Sequence, residues 1–203
     1  MIVVASGVEE RELVRGTAGC PVCHAEVRIT EGDVWFGEPA SAAPLASRTA
    51  LSADESESLD RLIALLGLAE PEGVVLLMGR YSSFALPIAE RTGCSVVTAG
   101  APDGPGAVAG RAASLPVAAV RGSPPCIPFS DATFRAAALD ESVAGALAAD
   151  VVRSVAIGGR VLGTVAVDRP PGIVELARDA TEWVGEREAP TPMVSLGRRQ
   201  SPL

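Results

Sequence analysis

The sequence predicts an α/β fold: a doubly wound, mainly parallel sheet of about five strands, preceded by a small N-terminal β-hairpin. Three observations carry that reading. Short apolar runs recur at 74–78, 95–98, 116–120, 133–139 and 160–167, with helical stretches between them at 82–91, around 106–114 and at 141–154. Runs that are apolar throughout and separated by helices indicate parallel strands covered on both faces, and right-handed crossovers then favour double winding. The stretch Val74-Val75-Leu76-Leu77-Met78-Gly79-Arg80-Tyr81-Ser82-Ser83 reads as a buried strand turning sharply into a helix, the place where nucleotide-binding α/β folds hold their ligand.

In chain order, residues 1–18 are polar and weakly periodic and are expected to be a flexible lead-in. Residues 19–38 alternate at Val27, Ile29, Val34 and Phe36 around the turn Glu31-Gly32-Asp33, which predicts the small hairpin. An Ala/Ser/Pro-rich linker covers 39–51. Ser52-Ala53-Asp54-Glu55 fits a capping box, with Leu59, Leu62, Ile63, Leu65 and Leu66 forming the helical stripe behind it and Glu70-Pro71-Glu72-Gly73 ending it. The α/β domain is expected over 52–185. Gly158-Gly159 is read as the turn into its last long strand, 172–183 as one further helix, and 186–203 as a flexible tail.

Composition limits the function classes. The chain has 203 residues, 48% of them hydrophobic and 21% charged, which suits one main domain and a small appendage. A net charge of -8 argues against a phosphate-backbone partner, so nucleic acid is not expected. Its 17 basic side chains are all Arg. No apolar run reaches a membrane span and no export signal is legible, which predicts a cytoplasmic protein with reduced cysteines unless they hold metal.

Cys20-Pro21-Val22-Cys23-His24 is half of a zinc-ribbon signature. Zn²⁺ needs four ligands, so a metal site would use Cys20, Cys23 and His24 with an acid such as Asp33 or thiolates from another chain. The alternative is a remnant knuckle that holds the hairpin without metal. The same residues match a haem c attachment pattern, which the lack of an export signal disfavours. His24 is the only histidine, and no Ser-His-Asp triad is legible.

Over roughly 52–170 the order and spacing resemble the class I S-adenosylmethionine-dependent methyltransferases, whose sheet is Rossmann-like. Val75 to Glu90, containing Leu86-Pro87-Ile88-Ala89, resembles the family's first motif. The run from Val120 to Phe134, with Ile127-Pro128-Phe129 and Asp131-Ala132-Thr133-Phe134, is similar to the segment leading into its fourth strand. Arg153 to Leu162, with Gly158-Gly159, is similar to the entry to its fifth. N-terminal ribbons beginning Cys-Pro-x-Cys also precede some methyltransferase domains; here the second Cys pair is missing.

The departures from the family pattern imply a degenerate member. Of the first-motif glycines only Gly79 is kept; Leu77 replaces the acid, and Tyr81 and Ser83 replace the later glycines. Thr98-Ala99-Gly100 stands where a carboxylate holds the ribose, and Ser123 where an Asp contacts the adenine amine. Each lost carboxylate contact costs about 1.5 to 3 kcal/mol. The closing hairpin of the family is expected to be absent.

The resemblance therefore implies a methyltransferase-fold protein without efficient S-adenosylmethionine binding, acting as a structural or regulatory subunit with a protein partner or as a homo-oligomer. Trp35 and Phe36, or the proline-rich tail, would supply its interface. The alternative is an active methyltransferase for a small molecule or protein with an atypical pocket, lined by Gly79, Tyr81, Ser123 and Cys126 in the loop to Asp131. A third reading is a module for another nucleotide-like ligand in the same crevice. Cys94 and Cys126 read as small buried hydrophobes, with a reactive thiol at Cys126 as the alternative.

Overall fold

A computed structural model describes residues 2–9, 12–19, 26–30, 33–36, 51–99, 116–122 and 126–189. The knuckle residues Cys20, Cys23 and His24, Ser123, the stretch expected as a helix around 106–114, and the tail from 190 onward lie outside them. So does all of the linker except Leu51.

The parallel core follows the apolar runs. Strands β5 (Val74–Met78), β6 (Ser95–Ala99), β7 (Val117–Gly122), β8 (Phe134–Leu139) and β9 (Val155–Thr164) pair in the order β7-β6-β5-β8-β9, all parallel. Side chains alternate across β5, so its two faces enter different cores. Val75 and Leu77 pack under α1 (Ala53–Leu66) and α2 (Ala85–Thr92); Leu76 and Met78 pack with Leu147, Val151 and Val152 of α3 (Glu141–Ser154).

The capping box at Ser52 forms as expected: Glu55 N–H donates to Ser52 Oγ at 3.3 Å and Ser52 N–H to Glu55 Oε2 at 2.8 Å. Helix α1 stops earlier than expected, because Gly67 takes the left-handed conformation (φ 68) that ends a helix. Arg160 then donates to the Ala64 and Leu65 carbonyls at 3.2 and 3.1 Å, placing a cation at the negative end of the helix.

Four expectations are corrected. Residues 2–9 and 12–19 form β1 (Ile2–Glu9) and β2 (Glu12–Gly19) in place of a flexible lead-in. With β3 (Glu26–Thr30) and β4 (Asp33–Phe36) they make an antiparallel ribbon that joins the core, β4 lying parallel to β7. Backbone pairing, which needs little apolar periodicity, joins β1 to β2, and Ala18 of β2 packs with Val27 and Ile29 of β3. Residues 172–183 are not a helix: β10 (Ile173–Arg178) and β11 (Glu182–Arg187) form an antiparallel hairpin. The closing hairpin expected to be missing is therefore present, with β11 antiparallel to β9. Among the described residues the sheet has eleven strands in place of about five, in the order β1-β2-β3-β4-β7-β6-β5-β8-β9-β11-β10.

Gly158-Gly159 lies inside β9 as a bulge: Phe134 faces Val155, while Ala136 faces Arg160. At the ribbon junction the Asp33 carboxylate accepts from Ala119 N–H at 3.0 Å and from Arg121 Nε at 2.9 Å, and the guanidinium lies 5.6 Å from the Trp35 ring centroid. Asp33, considered above as a metal ligand, is thus engaged in docking the ribbon.

Candidate functional site

The strand order reverses between β5 and β8, and ligands of open α/β sheets bind outside the carboxyl ends of strands at such a point. Two segments meet there. After β5 the chain enters a 3-10 turn, Gly79–Phe84, and after β8 Asp140 caps α3. Asp140 is 5% exposed. Its Oδ1 accepts from Ser142 N–H at 3.0 Å and from the Ser142 hydroxyl. Its Oδ2 accepts from Arg80 N–H at 2.7 Å, across the switch point.

Gly79 has φ 58, a region side chains rarely adopt. A Cβ there would lie 2.1 Å from Asp140 Oδ1 and 2.4 Å from Oδ2. The missing side chain of Gly79 leaves room for this carboxylate. Sequence reasoning passed over Asp140, although an Asp closing an apolar run two residues before Ser142 carries an N-cap signal.

Tyr81 turns away from this point. It is buried in the α1/α2 core, and its hydroxyl donates to Glu182 Oε1 on β11 at 2.7 Å. Arg80 Nη2 donates to the Tyr81 hydroxyl at 3.0 Å and to Glu182 Oε1 at 3.3 Å, while Arg61 reaches Glu182 Oε2 at 3.3 Å and also Asp179. Burial pushes the Tyr81 hydroxyl well above its ordinary pKa. At the lip, Glu141 Oε2 accepts from the Thr164 hydroxyl at 2.7 Å. The Glu141 backbone N–H and Thr164 hold that carboxyl below its ordinary range.

Cys126 is exposed. The next residue, Ile127, donates its N–H to Asp150, about 15 Å farther along α3 than Asp140. Arg153 fixes the same loop through the Ile127 and Phe129 carbonyls at 3.1 and 3.0 Å and Asp131 at 2.6 Å. Cys94 is buried, with its Sγ 3.5 Å from the Glu70 carbonyl. Among the described residues no group of three His, Cys, Asp or Glu is placed to hold a metal, and no helix is long and apolar enough to cross a membrane.

No protein-family model matches the sequence, and no curated protein matches it. Among solved structures, the chain is similar to geranyl diphosphate C-methyltransferase from Streptomyces coelicolor, in complex with Mg²⁺, geranyl diphosphate and S-adenosyl-L-homocysteine. That likeness has TM-score 0.42 at 18% identity, over 54% of this chain and 44% of that one. It is also similar to an RNA methyltransferase from Salinibacter ruber in complex with S-adenosyl-L-homocysteine (TM-score 0.44, 15% identity, 68% of this chain and 95% of that one). A tRNA methyltransferase from Aquifex aeolicus gives TM-score 0.39 at 15% identity, over 73% of this chain and 74% of that one. The chain spans less than half the length of the geranyl diphosphate enzymes it matches.

Proposed function

We propose that this chain is a non-catalytic structural or regulatory subunit built on a methyltransferase-type sheet, without efficient binding of S-adenosylmethionine. The observation that carries the reading is the chemistry at the ends of β5 and β6. Leu77, Met78, Thr98 and Ala99 are all buried there, and none offers a carboxylate to accept hydrogen bonds from ribose hydroxyls. Without those bonds a nucleoside exchanges its hydration for unpaired polar groups, at about 1 to 3 kcal/mol for each. Tyr81, at the second glycine position of the pattern, is committed to Glu182. The described residues at these strand ends therefore offer S-adenosylmethionine none of those hydrogen bonds.

Assembly through the outer strands of the described sheet accords with the same reading. Val4 on β1 is 67% exposed and Leu176 on β10 is 50% exposed, one at each end of the sheet. Trp35 and Phe36 are only partly exposed; Phe36 packs against the core, and Trp35 lies beneath Arg121.

Calorimetric titration with S-adenosylmethionine and S-adenosylhomocysteine tests the reading, with light scattering on the same sample for its mass. No heat at millimolar ligand is expected, together with a mass above that of one chain or with a copurifying partner. Micromolar binding would overturn it and restore the enzyme reading, to be followed by a search for a methyl acceptor.

A further inference from the structure

We infer that Asp140 is an autoinhibitory contact: its carboxylate is a built-in occupant of the switch-point crevice and keeps ligands out of the Gly79 turn. The inference rests on the proposed function only in taking this crevice as the place where a nucleoside would bind.

Four observations combine. Asp140 is almost fully buried at the point where the sheet opens. A burial of this depth is costly for a carboxylate unless donors surround it. Here the donors are the backbone N–H groups at the starts of two helical segments, Arg80 at 2.7 Å and Ser142 at 3.0 Å, together with the Ser142 hydroxyl. Capping α3 requires only the bond to Ser142. The bond to Arg80 crosses to a segment 60 residues away and does nothing for α3; it ties the turn after β5 to the start of α3, outside the carboxyl ends of the paired strands β5 and β8. Finally, the volume that Gly79 leaves open for close approach is the volume the carboxylate fills, since a Cβ on Gly79 would overlap it.

A ligand entering the turn has to displace this group and take over the Arg80 N–H. Its apparent affinity is reduced by the fraction of molecules in which Asp140 has left, so a plug closed nine times in ten weakens binding about tenfold. Rotation of the Asp140 side chain would open the turn without moving the backbone of β5 or β8.

The test compares wild type with Asp140→Ser, which keeps a helix-capping oxygen but withdraws the carboxylate from Gly79. Both are titrated with S-adenosylhomocysteine, with thermal melts of both. Binding about tenfold tighter or more in the variant is expected. A cooperatively melting Asp140→Ser that binds no better than wild type overturns the inference. If neither protein binds, the autoinhibitory contact is excluded while the non-catalytic reading stands; if wild type already binds at micromolar concentration, that reading fails and the ratio of the two affinities still decides this one. Should Asp140→Ser not melt cooperatively, Asp140→Ala is heated with formate. Its melting temperature should rise with formate and not with chloride, and that of wild type should stay unchanged. A variant indifferent to formate also overturns the inference.

Discussion

Tyr81 is the only tyrosine, so phenolate absorbance reports its ionisation alone. Burial pushes its hydroxyl pKa up, with the hydrogen bond to Glu182 acting in the same direction. A phenol whose folded-state pKa exceeds its unfolded value of about 10 adds stability that is complete below that pH and is lost as pH rises toward the folded value. Unfolding free energy measured in urea should therefore decline above about pH 10. In Tyr81→Phe that decline should flatten, with about 1 kcal/mol lost at neutral pH because Glu182 loses a donor. Phenolate absorbance of the native protein should stay low through the same range. Gly79→Ala should be more damaging, by roughly 2 to 4 kcal/mol, since it combines a left-handed φ with overlap on Asp140. Chemical denaturation checks both. The sequence marked Gly79 and Tyr81 as unusual and placed both in a vestigial or atypical pocket. Their actual neighbours, Asp140 and Glu182, lie 61 and 101 residues away, and no local pattern encodes such pairings.

At the level of elements, legibility followed how local the determinants are. Helix α1 was readable from Ser52 and Glu55 because a capping box closes within three residues, and Ser52→Ala should cost about 1 kcal/mol by urea denaturation. Helix α3 was readable over its full length from its apolar stripe. The β10–β11 hairpin was misread because Glu175, Leu176, Ala177, Arg178 and Ala180 are good helix formers or helix-tolerant residues, and its turn lacks glycine. Asp179 makes the turn instead: its Oδ1 accepts from Thr181 N–H at 2.7 Å and Glu182 N–H at 2.8 Å, and these bonds hold its carboxyl far below the usual range. That Asp-x-Thr was the available signal. What commits β11 to the sheet is Trp183, fully buried, with Nε1 donating to the Val167 carbonyl at 2.9 Å. Its ring lies against Gly163, where a Cβ would come 2.4 Å from Cζ2. Gly163→Ala should cost about 1 to 3 kcal/mol and alter the Trp fluorescence of the native state.

For the whole molecule, the sheet is continuous only because β4 docks on β7, and the Asp33–Arg121 pair at 2.9 Å secures that join. Removing one partner of a largely desolvated ion pair leaves the other uncompensated. Asp33→Ala should thus raise amide hydrogen exchange in β1 to β4 while leaving β5, β6 and β8 protected; equal exchange across both groups would show that the ribbon does not open separately. The doubly wound core was legible because its strands are apolar on both faces. The ribbon's extent was not, since exposed residues such as Val4 and Val8 leave a weak inward-facing pattern. The parallel join also imposes an order in time. During synthesis β4 leaves the ribosome roughly 80 residues before the β7 strand that will pair with it. At the usual pace of translation that is on the order of ten seconds. For that interval the edge of β4 that will pair with β7 is without that partner, the kind of strand edge that chaperones shield.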